Sequence, residues 1–190
     1  MRFNFISKIL IIFFLVLFTY LYAAWEKKKY YSHDENYSAS LVLKELPTFN
    51  IYSLDSKKIL ISPTNVSSSR AVFIHLWGTW CAPCEREMPE FLSFAEKVKS
   101  KGVQFYLIAV GDELINVKKF LKKFPVLPEN VTIAIDLDNT VMDLFGTLKV
   151  PETFLFNSNG KHINKFVGPQ EWSQESYVSR LDSWLSVKNQ

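Results

Sequence analysis

The stretch Ala71 to Pro89, AVFIHLWGTWCAPCEREMP, constrains this chain more than any other. It opens as an apolar, β-branched run, Ala71-Val72-Phe73-Ile74, the pattern of a buried strand. Gly78-Thr79-Trp80 then marks a turn, and Cys81-Ala82-Pro83-Cys84 follows it directly. Beyond the cysteines, Met88, Phe91, Leu92, Ala95 and Val98 fall at i, i+3, i+4, i+7 and i+10, one face of a helix. Two thiols therefore sit where a strand hands over to a helix. Free backbone N–H groups and the positive end of the helix dipole favour a thiolate there. A thiolate is the attacking species of thiol–disulfide exchange.

A C-x-x-C pair is also half of a zinc site, and zinc asks for about four ligands. The chain has no third cysteine, and its histidines, His33, His75 and His162, show no paired ligand spacing. Trp80 before the first cysteine and Pro83 before the second favour redox chemistry over metal. With two cysteines in all, no disulfide framework holds the fold.

Ile9 to Trp25 is apolar or aromatic apart from Thr19, with Arg2 and Lys8 before it and Glu26-Lys27-Lys28-Lys29 after it. At about 1.5 Å per residue the run just crosses a bilayer, with Lys8 snorkelling. A cleaved signal peptide is the alternative, but the run is long for one and Leu21-Tyr22-Ala23-Ala24 is a poor cleavage site. The expectation is an uncleaved anchor over residues 1–26, a polar tether over 27–45 with a solvated His33, and a folded domain over 46–190. Of 22 Lys/Arg and 19 Asp/Glu, residues 1–29 hold five and one, which leaves 17 basic and 18 acidic residues beyond. The basic excess belongs to the N-terminus, so no footprint for nucleic acid exists.

The domain reads in order as short strands Thr48–Leu54 and Lys58–Ile61 forming a hairpin, a Ser/Pro/Asn loop over Ser62–Ser69, the central strand, and a helix to about Ser100. A buried strand Gln104–Val110, a helix Ile115–Phe124, a strand Val131–Ile135 and a short helix Asn139–Phe145 come next. A hairpin of Glu152–Phe156 and Lys161–Val167 and a last helix Gln174–Leu185 complete it. Strands alternating with helices and ending in a hairpin predict an α/β fold around a mixed sheet.

Trp77-Gly78-Thr79-Trp80-Cys81-Ala82-Pro83-Cys84, with Glu87-Met88-Pro89 after it, resembles the TlpA/ResA/CcmG-type thioredoxin-like proteins. Val150-Pro151-Glu152-Thr153-Phe154-Leu155, then Asn159-Gly160-Lys161 and Gly168, is similar to that family's cis-proline loop and closing hairpin. The resemblance covers roughly residues 46–187 and implies a thioredoxin-like fold: a central mixed sheet flanked by helices, with an N-terminal β-hairpin and a transmembrane anchor. It also implies a single-pass protein of the cytoplasmic membrane whose catalytic domain lies on the extracytoplasmic, periplasmic side. Its activity would be disulfide reduction, with no cofactor beyond a redox-active Cys81–Cys84 pair. The expected partners are a disulfide-containing protein, such as apocytochrome c awaiting haem, and a membrane thiol-relay protein as electron donor.

Within that resemblance Cys81, at the strand–helix junction, is the expected nucleophile, and Cys84, one turn on, the resolving thiol. Trp80, Pro83, Val150 and Pro151 are the expected substrate-binding residues, and Pro151 the family's cis-proline. Glu87 lies three residues past Cys84 on the same helix face, where a partly buried carboxyl has a raised pKa and exchanges protons with a thiol. His75 stands where cytoplasmic thioredoxins carry a buried acid, a departure from that pattern; its face cannot be read across the Gly78 turn. Trp172 is expected to pack, and Asp112 and Glu113 to be solvated loop acids rather than part of the site's rim. Two rivals stay open: a general thiol oxidant or isomerase, since two intervening residues do not fix a potential, and a membrane-tethered binding module without turnover.

Overall fold

The structure, a computed structural model, describes residues 13–22 and 43–186. The chain divides into two compact units, Met1–Val42 and Leu43–Gln190. In the first, residues 13–22 form an exposed helix, α1. Among the described residues no helix is long and apolar enough to cross a membrane. The ends of the Ile9–Trp25 run, His33 and the tether up to residue 42 lie outside the described residues.

In the second unit the central strand, β3 (Ala71–Trp77), is buried at every residue, as its apolar run, broken only by His75, requires of a strand covered on both faces. It pairs in parallel with β4 (Val103–Ala109), and β4 in parallel with β5 (Val131–Ile135). On its other side β3 pairs antiparallel with β6 (Glu152–Asn157), which pairs antiparallel with β7 (His162–Val167). Beyond β5 lie β1 (Phe49–Ser53) and β2 (Lys58–Ile61), antiparallel to each other and β1 antiparallel to β5. The seven-stranded order is β2-β1-β5-β4-β3-β6-β7, a mixed sheet.

Helices cover both faces. α2 (Pro63–Val66) and α5 (Val141–Phe145) pack on one, through Val66, Val141 and Phe145 against Val72, Ile74 and Leu76. The other carries α3 (Ala82–Lys97), α4 (Leu114–Leu121) and α6 (Glu175–Ser186). There Trp172 sits 4.8, 5.5 and 5.2 Å from the rings of Phe91, Phe94 and Phe166, tying helix α3 to the sheet.

Three stretches differ from the sequence reading. α4 ends at Leu121 rather than Phe124, since the N–H groups of Lys122, Lys123 and Phe124 reach back three residues instead of four. Ser62–Ser69 contains helix α2, because Ser62 caps it by accepting from Asn65 N–H and Pro63 pre-sets its first turn. The central helix stops at Lys97 rather than Ser100: Val98 leaves helical geometry and a 3-10 turn over Lys99–Lys101 ends at Gly102, whose φ of 71° suits glycine.

Candidate active site

The site forms where β3 ends and α3 begins. Cys81 is the N-cap of α3, in extended geometry, and its sulfur accepts from the Cys84 N–H at 3.3 Å. The sulfur thus occupies the place of a capping oxygen, where the helix's unpaired N–H groups and dipole stabilise negative charge. Pro83 in the first turn withholds one N–H from that set. Cys81 and Cys84 form a disulfide, with their Cα atoms 5.3 Å apart. Cys81 retains 5% of its surface and Cys84 none, so the two residues are unequal and only Cys81 meets solvent. The opening is narrower than a helix start alone implies.

Two loops frame that opening. The Val150–Pro151 peptide bond is cis, and the Val150 carbonyl oxygen lies 3.7 Å from the Cys81 sulfur. Pro151 is buried and Val150 half-buried. On the other side Trp80, 59% exposed, donates its indole N–H to the carbonyls of Val110 and Gly111 at 3.2 and 3.0 Å. The indole lies over Gly78, where an added Cβ would come within 2.6 Å of it, so glycine is what lets the ring fold back. Asp112 is not the solvated loop acid expected. Its carboxylate accepts from the Thr79 N–H at 2.6 Å, the Thr79 hydroxyl at 3.1 Å and the Glu113 N–H at 2.9 Å, and so ties the loop after β4 to the turn before Cys81.

Beneath the disulfide, Glu87 is buried. Its Oε2 accepts from the Gln170 N–H at 2.8 Å and the Trp172 indole N–H at 3.2 Å. Burial pushes the carboxyl up to about 7 against the pull of those two donors, and Glu90 raises it further. Trp172 therefore packs, as expected, and also donates. His75 is fully buried on the α3 face of the sheet, its ring 4.4 Å from that of Phe91. Its Nδ1 is 2.8 Å from the Thr153 hydroxyl, and burial pushes its pKa down to about 3, so it is neutral at physiological pH. The 3.7 Å approach of His75 Nε2 to Glu87 Oε1 is thus not an ion pair.

The loop carrying Gln170 also reaches the cis-proline: Gly168 N–H donates to the Pro151 carbonyl at 2.9 Å. The Gln170 side-chain amide donates to the Val167, Gly168 and Pro169 carbonyls, and its oxygen accepts from the Tyr177 hydroxyl at 2.9 Å. Glu152, next to Pro151, is buried and held by the Thr147 hydroxyl at 2.6 Å and by Lys165 at 3.0 Å. The fold brings Cys81, Cys84, Glu87, Trp80, Pro83, Val150 and Pro151, the residues singled out from the sequence, to this one end of the sheet. Sequence reasoning weighed Asp112 only as a solvated acid and gave no role to Thr153, Gln170 or Glu152, whose types are ordinary in loops and strands.

Comparison with known proteins agrees with this geometry. The redoxin family model matches residues 42–183. The thiol–disulfide oxidoreductase ResA of Bacillus cereus is 32% identical over 153 residues, covering 80% of this chain and 83% of that protein. ResA of Bacillus thuringiensis subsp. konkukian is 33% identical over 139 residues, or 73% and 77% of the two chains. Among solved structures, StoA from Bacillus subtilis superposes with a TM-score of 0.55 at 22% identity, covering 73% of this chain and 96% of that one, which shows a shared fold. The cysteine at the helix cap, which keeps a sliver of exposed surface, the cis-proline loop against it and this kinship lead to one conclusion: the chain belongs to the redoxin family and is a thiol–disulfide oxidoreductase of the TlpA/ResA/CcmG type.

Proposed function

We propose that this oxidoreductase works outside the cytoplasm as a reductant of protein disulfides, tethered to the cytoplasmic membrane by its N-terminal segment. The observation that carries the division of labour is the inequality of the two cysteines at the start of α3. In the reduced protein the Cys81 thiolate attacks one sulfur of a substrate disulfide. A Cys81–substrate bond forms, the substrate's S–S bond breaks, and the departing sulfur takes up a proton. The Cys84 thiol then gives up its proton and attacks the Cys81 sulfur. The intramolecular disulfide closes, the second substrate sulfur leaves, and two electrons have passed to the substrate.

Glu87, one turn beyond Cys84 on the helix, acts as the base that takes the Cys84 proton, a role suited to a carboxyl poised near neutrality. Trp80, Pro83, Val150 and Pro151 form the surface that receives the substrate's chain around its cysteine. A membrane thiol-relay protein returns the pair to the dithiol. The resemblance of the Trp77–Pro89 and Val150–Leu155 motifs to the TlpA/ResA/CcmG type points to apocytochrome c as the substrate, its haem-binding cysteines being reduced before haem attachment. An insulin-reduction assay with dithiothreitol as donor tests the catalytic claim: the wild type accelerates precipitation and Cys81→Ser does not. Equal rates for both proteins would leave only a tethered binding module.

A further inference from the structure

Two buried polar atoms face each other beneath the disulfide, and neither has a hydrogen-bond partner: His75 Nε2 and Glu87 Oε1, 3.7 Å apart. Every other polar atom around them is spoken for. Glu87 Oε2 takes the Gln170 and Trp172 N–H groups, and His75 Nδ1 meets the Thr153 hydroxyl. A buried polar atom left unpaired loses its water without gaining a partner, so such pairs are driven to meet. About 0.8 Å of side-chain movement brings the two orphans to ordinary hydrogen-bond length.

Counting donors gives the direction of the bond while Glu87 is ionised. The Thr153 hydroxyl has one neighbour able to accept its proton through a side-chain bond, His75 Nδ1. If it donates there, the neutral imidazole carries its own proton on Nε2, facing the carboxylate. The chain Thr153 O–H to Nδ1, then Nε2–H to Oε1, leaves none of these atoms unsatisfied. The opposite tautomer points two lone pairs at each other whenever Glu87 is ionised.

We propose that His75 is a positioning residue for Glu87: an imidazole, oriented by Thr153, whose Nε2–H holds the ionised carboxylate. When Glu87 is protonated, its Oε1–H needs an acceptor instead. His75 supplies one by carrying its proton on Nδ1, with the Thr153 oxygen accepting. The hydroxyl serves in both directions, so the imidazole changes tautomer with the carboxyl and stays neutral through the carboxyl's titration. The charged and titratable groups around Glu87 are Glu90 and the Cys81–Cys84 pair on α3, His75 on β3, Glu171 on the preceding loop and Tyr177 on α6. No lysine or arginine appears among the groups that shift it, so its ionised form rests on N–H donors. This inference rests on the role given to Glu87 above, as the base for Cys84.

The test is an imidazole 15N and carboxyl 13C titration of the full-length oxidised chain in detergent micelles, labelled in histidine and glutamate, with Glu87→Gln to assign the carboxyl. Above the Glu87 midpoint His75 is the Nε2–H tautomer; below it, Nδ1–H. In His75→Phe, which keeps a ring against Phe91, the midpoint moves to higher pH by about fivefold in proton affinity. A charge-assisted bond is worth roughly 1 kcal/mol more than the neutral one lost with it. An Nδ1–H tautomer above the midpoint in the unaltered protein overturns the proposal without any variant, and so does an unmoved midpoint in a folded His75→Phe. Insulin reduction by the wild type, run in parallel, reports separately on the catalytic reading: its absence would remove that reading while leaving the tautomer result standing.

Discussion

Burial of Glu87 and His75 sets opposite pH slopes on the stability of one small region. Glu87 titrates near 7 in the folded chain against 4.5 unfolded, so the folded state holds the extra proton and stability falls as pH rises from about 4.5 to about 7. His75 titrates near 3 against 6.5, so the unfolded state holds the extra proton and stability rises with pH over about 3 to 6.5. The two oppose each other between about 4.5 and 6.5. Glu87→Gln removes the first, and urea unfolding of the oxidised variant is expected to show stability climbing with pH up to about 6.5 and then flat, with a gain near pH 8 on the order of 2 kcal/mol over wild type. A variant whose pH profile parallels wild type would show that Glu87 carries no such penalty. Trp172→Phe keeps most of the ring packing but deletes a donor to Glu87, so it should raise the Glu87 midpoint and cost about 1–2 kcal/mol, read from a 13C titration and an unfolding curve. The motif residues were legible in the sequence because a C-x-x-C pair at a strand–helix junction has few other uses. His75 was not, because its face depends on how the Gly78 turn is taken; only the pairing of β3 with β4 and β6 puts it on the α3 side.

At the scale of elements, the strand–turn–helix unit carries the thiols and the loops only frame it. Asp112 joins the loop after β4 to the turn before Cys81 through three hydrogen bonds. Asp112→Ala frees the Thr79 N–H and hydroxyl and should lower stability by about 1–2 kcal/mol. It should also slow insulin reduction more than it lowers the unfolding midpoint, because the turn aims Trp80 and Cys81. A variant with full activity and reduced stability would confine Asp112 to holding the fold. The helices and strands of regular period were readable to within a few residues, since an apolar face of fixed spacing leaves little choice. Helix α2 was hidden in a polar stretch whose Ser62-Pro63 start is a capping signal, yet four residues are too few to show a period. The bond from Gly168 N–H to the Pro151 carbonyl joins residues that no local pattern connects, so it appears only when β6 and β7 pair.

At the scale of the whole molecule, the parallel β3-β4-β5 core and the antiparallel strands on both sides place the disulfide at one end of the sheet, with α3 running back beneath it. The membrane tether is a separate expectation, drawn from the Ile9–Trp25 run and its basic flanks. Carbonate extraction of bacterial membranes should leave the full-length chain in the pellet, and N-terminal sequencing should find Met1 or its trimmed neighbour; a soluble product starting near Ala24 would contradict it. The central claim is that one sulfur attacks and the other resolves, because Cys81 sits at the helix cap while Cys84 is fully buried. Iodoacetamide labelling of the reduced protein across pH, read by peptide mass spectrometry, measures this directly. Cys81 should alkylate first, with a midpoint below the ordinary thiol value of about 8.5, and Cys84 should react only after unfolding or at high pH. Faster modification of Cys84, or equal rates at the two sulfurs, would contradict the account.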